Sequence, residues 1–384
     1  MKKLFLLLLL SAGILASCSK DDSPNPDLEG DVKMIVVNEG GMGNGFGALT
    51  AITYDGTSKE DIFRDVNGRP MGDVAQSITC INGKYFVTMN NSRKIEVVEP
   101  KTFKSLGTIT YEKDGKPRFV VAISEDQAIV SDLNSQLVRI DINNYQVLEY
   151  IDITPIGAGS LEKMIRIGNK IFCAGDHAVV VFDVNNVTKE GARTIDLGES
   201  IMKTAKPILD KNGKLWMMTY QEIPDNYESV AQITLQCINP DTETVERTVA
   251  PQAAATTAEN IGKMVGFPHY NRMDTDRSRS KIYVPFNQMV AYSDWSGTAT
   301  TYLAIYTLDV DKAAFDVEPF RQLPGLGMMY GMGIDPDGQS VYICDCLDYS
   351  RQRGYLREYK ADGQETSYRV GIYPRMVYFT EYDN

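Results

Sequence analysis

The sequence predicts an all-β chain: a seven-bladed β-propeller closed by pairing of its C-terminal strand with the N-terminal blade. Three observations lead there. Strand pairs recur at an almost constant interval, 43 residues from Lys84 to Gln127, 43 from Gln127 to Lys170 and 44 from Lys170 to Lys214. The turn after the second strand of the pair recurs seven times, as Tyr54-Asp55, Glu99-Pro100, Asp141-Ile142, Asp183-Val184, Asn239-Pro240, Asp309-Val310 and Lys360-Ala361. Finally, the first unit has no strand before it that could line a channel, and the last strand of the chain, residues 375–379, has no unit of its own. A period near 43 with several strands per unit is the mark of a propeller blade, because no single unit can bury its apolar face alone.

The plainest unit is residues 83–109. Apolar Tyr85, Phe86 and Val87 form a first strand, Asn90-Asn91-Ser92 a polar tip, residues 95–98 a second strand and residues 103–109 a third. Comparable strand pairs start near Met34, Lys84, Gln127, Lys170, Lys214, Lys281 and Ser340. An innermost strand for units two to seven is expected at residues 74–81, 118–123, 161–167, 205–209, 263–267 and 330–334. Tyr373-Pro374-Arg375 introduces residues 375–379 much as Lys116-Pro117-Arg118 introduces the innermost strand of unit three. Setting that last strand beside the first unit closes the ring and pairs the open sheet edge that the first unit would otherwise have to protect.

The chain divides into residues 1–17, 18–30 and 31–384. Lys2 and Lys3 precede an apolar run, residues 4–16, too short to span a bilayer, and Leu15-Ala16-Ser17-Cys18 looks like the lipobox of bacterial lipoproteins. Residues 1–17 are therefore expected to be a signal peptide and Cys18 to carry lipid. Ser19-Lys20-Asp21-Asp22 resembles an acidic surface-export signal, and residues 19–30 form a polar linker with a reach of up to ~40 Å. The expected location is the outer membrane, lipid-anchored and exposed at the cell surface.

The formal charge is −12, and becomes −14 without Lys2 and Lys3. This acidity speaks against a nucleic-acid partner, and leaves the lipid as the means of membrane contact. Of six cysteines, Cys80, Cys173 and Cys237 sit in apolar strands, and Cys344 and Cys346 share a strand face, so no essential disulfide is expected. His177 and His269 are the only histidines and lie in different units, which speaks against a multi-histidine metal centre or a Ser-His-Asp triad. Gly43-Asn-Gly45-Phe-Gly47-Ala48 mimics a dinucleotide-binding fingerprint, but no helix follows it. No cofactor is expected.

Loops between the second and third strands of each blade ring one mouth of the channel. They are short in units two to four and long at residues 38–47, 220–229, 287–302 and 345–354, in units one, five, six and seven, which are neighbours in a closed ring. Insertions confined to one face and one arc suggest a ligand-binding wall. The candidate ligand-binding residues are Asn38, Glu39, Asn44, Phe46, Asn90, Asp132, Tyr220, Tyr227, Asn287, Tyr292, Trp295, Tyr330, Asp345, Tyr349, Arg351 and Arg375. No catalytic residue and no metal ligand is assigned. As an alternative, Asp132, Asp176, Asp345 and Glu39 could converge with Asn90 and Asn134 on calcium, giving a lactonase-like hydrolase.

Asn38-Glu39-Gly40, residues 67–77 (Asn67-Gly-Arg-Pro-Met-Gly-Asp-Val-Ala-Gln-Ser77), residues 83–109 and Val130-Ser131-Asp132 resemble YVTN-type propeller lipoproteins of Bacteroidetes. That group includes uncharacterised surface-layer-like proteins and BtuG-like cobalamin-binding surface lipoproteins. The resemblance implies a non-enzymatic surface lipoprotein whose ligand is a corrinoid (vitamin B12) and whose partner is a TonB-dependent outer-membrane transporter. A glycan or another small molecule as ligand, or a protein-interaction scaffold, are the other readings of the same fold.

Overall fold

The computed structural model describes residues 30–198, 201–223, 230–251, 263–265, 273–291, 298–348 and 350–383. Seven antiparallel sheets of four or five strands stand around one axis. Blade 1 orders its strands, from the outside inward, Ser58–Lys59, Ala48–Thr53, Val32–Asn38 and Pro374–Phe379. The last strand of the chain thus completes the first blade, with Met34 opposite Phe379, Val36 opposite Val377 and Asn38 opposite Pro374. Hydroxyl contacts fasten this junction: Thr380 Oγ1 donates to the Val32 carbonyl at 2.7 Å, and Tyr85 OH donates to Asp383 at 2.5 Å.

Blade 2 is the plain form, with strands Ala75–Ile81, Lys84–Met89, Lys94–Val98 and Ser105–Thr110. Its middle strands are buried on both faces, because each blade is sandwiched between two others. Tyr85, Val87 and Met89 point to blade 1, while Phe86 on the same strand points to blade 3. The period of two that makes a half-exposed sheet alternate apolar with polar here alternates one apolar interface with the next. A distinct buried cluster fills each of the seven junctions between blades. Outermost strands have one wet edge and are the more exposed, as in Gln146–Asp152, where only Ile151 is buried.

Two local features differ from the expectation. A short helix, Ile62–Asn67, lies between blades 1 and 2; it drives Ile62 and Phe63 into their shared core and ends at Gly68 with φ 65°. Residues 263–267 were expected as the innermost strand of blade 6. Instead Lys263–Val265 pairs with the third strand of blade 5, Val opposite Val at residues 230 and 265, and Asp274–Thr275 holds the innermost place. The reason lies in the second and third strands of blades 5 and 6, which run far past the normal blade height and offer an edge for residues 263–265 to join.

The blade 7 to blade 1 junction is tight at Gly331. A Cβ built there would lie 1.8 Å from the Arg375 carbonyl oxygen. Gly331→Ala is therefore expected to lower stability by about 1–3 kcal/mol or more through overpacking at the closing strand, read as a lower urea midpoint in equilibrium unfolding.

Candidate functional site

The innermost strands end the sheets, so their outer edges face the channel and are not paired to another strand. Near the start of these strands the register slips by one residue in blades 1, 2, 3, 5 and 7. The extra residue of a bulge re-aims its side chain away from the sheet face. In four of the blades the slip falls at Arg375, Gln76, Arg118 with Phe119, and Tyr330. In blade 4 Ala174 bonds both Glu162 and Lys163 through its carbonyl and amide. Val74 and Tyr373, just before the strands of blades 2 and 1, have φ of 61° and 50°, a conformation disfavoured for branched or bulky side chains.

These bulged residues meet as a charged belt in the upper channel, the end at which the loops between second and third strands open. Glu162 takes the Arg118 guanidinium in a two-point grip, 2.8 Å from Nε and 2.9 Å from Nη2. The third guanidinium nitrogen donates to Gln76 Oε1. Glu39 Oε2 accepts from Arg375 Nη1 and from Tyr330 OH, each at 3.0 Å. Burial pulls the Arg118 pKa down, Glu162 opposes that pull, and nearby Arg375 adds to it. For Arg375 burial works the same way, but Glu39, Tyr330 and Glu162 together outweigh it and raise the pKa. Two buried cations from blades 3 and 1 stand near enough to feel each other, each held by its own carboxylate.

Below this belt the channel widens into a cavity of about 670 Å³ that opens at the opposite, lower end. Lys163, Lys206, Asp274, Val121 and Ile165 are among its walls, and Arg166 and Arg279 stand at the rim. Lys206 is paired with Asp274 at 2.5 Å. Burial, and then the neighbouring Lys206 charge, push the Lys163 ammonium down from 10.5 to about 7, with Asp274 pulling the other way. Lys163 lies just before the strand Met164–Ile167, two residues ahead of Ile165, and both line the cavity.

The residues singled out from sequence fall into three groups. Glu39, Tyr330 and Arg375 are brought together in the belt, and Arg351 lies over the blade 1 loop, with Cδ 3.2 Å from a Cβ placed on Gly41. Asn44 binds its own loop through the Gly41 and Met42 carbonyls, and Phe46 at the end of that loop is 46% exposed. A second group is embedded in the scaffold. The Asp132 carboxylate accepts the Lys116 amide at 2.6 Å and the Asn134 amide at 2.8 Å, and Asp345 accepts the Met328 amide at 3.0 Å and Arg357 Nε at 2.6 Å. Each ties the end of a second strand to the entry of its blade. Asn38 bonds the Val36 carbonyl and Thr50 inside blade 1, Asn90 is buried beside Val74, and Asn287 is buried at a bulge. Tyr220 belongs to a strand and not to a loop, so its ring packs in the core between blades 5 and 6. Cys18, Tyr227, Tyr292, Trp295 and Tyr349 lie outside the described residues.

The acids considered for calcium are held separately, Asp132, Asp176 and Asp345 each within its own blade and Glu39 in the belt, and among the described residues no three Asp, Glu, His or Cys side chains gather as ligands. Gln76, Arg118, Glu162, Lys163 and Lys206 were not among the candidates. A signal existed, since they are polar residues inside the very segments expected to line the channel.

The fold and belt define the class: a closed seven-bladed propeller with a cross-linked upper channel and an open lower cavity. Within it, the chain belongs to the family described as "Domain of unknown function (DUF5074)", whose model matches residues 33–266. No curated protein matches the sequence. Among solved structures, Kuenenia stuttgartiensis hydrazine synthase aligns with a TM-score of 0.53 at 15% identity, covering 73% of this chain and 75% of that one. Dihydro-heme d1 dehydrogenase NirN, in complex with DHE, aligns with a TM-score of 0.54 at 10% identity, covering 94% and 78%. At such identities the likeness is one of fold alone.

Removing one partner of a buried ion pair leaves the other charge uncompensated. Glu162→Gln is thus expected to cost about 3–5 kcal/mol, read as a drop in the urea midpoint. Lys163 makes the opposite prediction. Its folded pKa is depressed, so the stability tied to the neutral amine is present above 10.5 and is lost as pH falls through about 7. Lys163→Met should melt higher than the native protein at pH 6, with the two melting curves converging as the pH rises toward 10, in a pH series of thermal scans.

Proposed function

We propose that this propeller captures a corrinoid at its upper face and passes it to a TonB-dependent outer-membrane transporter, binding its ligand without transforming it. The observation that carries this reading is the one-sided lengthening of blades 5 and 6. Their second and third strands are 9 and 10 residues and 11 and 12 residues long, against 6 and 5 in the plain blade 2. Two hairpins of that length share the upper rim with the blade 1 loop, where Met42 is 68% and Phe46 is 46% exposed, with blade 7 between, and make a wall for a large flat molecule. Apolar surface left in water on one rim is a common mark of a binding face.

The cell-surface lipoprotein reading is compatible with this orientation. Val32–Asn38 runs from the lower to the upper face, so a lipid at Cys18 would tether the lower face and leave the wall pointing away from the membrane. Under this proposal Glu39, Tyr330 and Arg375 form the polar floor beside the wall.

Isothermal titration of the folded protein with cobalamin and with cobinamide is expected to show saturable binding of both, and Phe46→Ser to weaken it about tenfold, near 1.4 kcal/mol. Absence of heat with either corrinoid, from protein whose melt is intact, would falsify the ligand assignment.

A further inference from the structure

The lower cavity is chemically unlike the rest of the molecule. The chain carries a net charge of −12, yet four cationic residues, Lys163, Lys206, Arg166 and Arg279, line this cavity against one carboxylate, Asp274. That carboxylate is committed to Lys206 at 2.5 Å. Arg166 is committed as well, donating to the Gly168, Ala122 and Ile123 carbonyls at the rim. Among the described residues no hydrogen bond or ion pair holds the Lys163 ammonium. A cleft walled by protein and lined with one sign of charge concentrates counter-ions of the other sign, even within an acidic protein.

The remaining wall is apolar. Val121 and Ile165 are half-buried: each packs against the core of a blade junction and leaves part of its surface lining the cavity. The volume, about 670 Å³, falls within the ordinary range for small-molecule sites, roughly 300–1,000 Å³. The belt of Arg118, Glu162, Glu39 and Arg375 stands above, so the cavity opens downward. A ligand suited to it is entered from the lower face, has one anionic end and carries an apolar body.

We propose that the lower channel cavity is a second binding site, independent of the upper face, which takes a monocarboxylate with an apolar chain, its carboxylate held by Lys163 with support from Lys206. A carboxylate meeting an ammonium in a partly desolvated site forms the stronger, charge-assisted kind of hydrogen bond. The apolar chain then lies along Val121 and Ile165. Such a ligand also restores the charge that burial disfavours on Lys163.

Titration calorimetry with octanoate, 1-octanol and inorganic phosphate tests each part. Saturable octanoate binding is expected, with 1-octanol and phosphate each at least tenfold weaker, because one lacks the charge and the other the chain. Lys163→Met should weaken octanoate at least tenfold while its melting temperature stays at or above that of the native protein. Lys206→Gln, a second variant, should weaken it by a smaller factor. No octanoate binding to the folded native protein overturns the proposal. So does 1-octanol or phosphate binding as well as octanoate, or unchanged octanoate affinity in a folded Lys163→Met protein.

Discussion

Everything in this fold depends on the pairing of Val32–Asn38 with Pro374–Phe379. A sheet stacked on sheets needs a neighbour on each face, and a linear row of blades would leave its two end faces in water. Joining the first and last segments of the chain in one blade turns the row into a ring, so every blade has two neighbours. The seven junction clusters are the result, and the strand pattern follows from them: central strands must be apolar on both sides. The close approach of Gly331 to the Arg375 carbonyl shows how little slack that junction allows.

Closure creates the second constraint, a channel bordered by sheet edges with no strand to pair with. A regular innermost strand would send its side chains into the neighbouring blades. The one-residue slips at the top of these strands free Gln76, Arg118, Tyr330 and Arg375 to point inward. Charges placed there are costly unless matched, and the structure matches them in two sets, Arg118 with Glu162 and Arg375 with Glu39. The belt therefore cross-links blades 2, 3 and 4 through Gln76, Arg118 and Glu162, and blades 7 and 1 through Tyr330 and Glu39, and divides the channel. Above it lies the face with the lengthened hairpins; below it lies the cationic cavity.

How much of this could be read from residues alone differs sharply between scaffold and site. The period near 43, the seven turns and the parallel between Lys116-Pro117-Arg118 and Tyr373-Pro374-Arg375 gave the blade count and the closing strand. They did so because every blade must repeat the same local pattern to bury the same faces. The same parallel extends to the role of the position: both arginines sit at the entry of an innermost strand and both turn into the channel. Asp132 and Asp345 stood out as acids beside a mouth, yet a carboxylate at the end of a second strand is just where the next amide needs an acceptor. Tyr220 falls where the pattern predicts a loop, because nothing local distinguishes a lengthened hairpin from a long loop.

The sequence by itself determined the number of blades, their order and the way the ring closes, since these follow from periodic burial, which is local and repeated. Only the tertiary structure decided which polar residues meet. Arg118 and Glu162 are 44 residues apart, Arg375 and Glu39 336; the period places such residues at the entries of innermost strands, but which side chains turn inward and meet depends on bulges and on ring closure. The cationic cavity is of the same kind: Lys163, Lys206 and Asp274 come from three different blades, and only the channel that the ring encloses makes them neighbours.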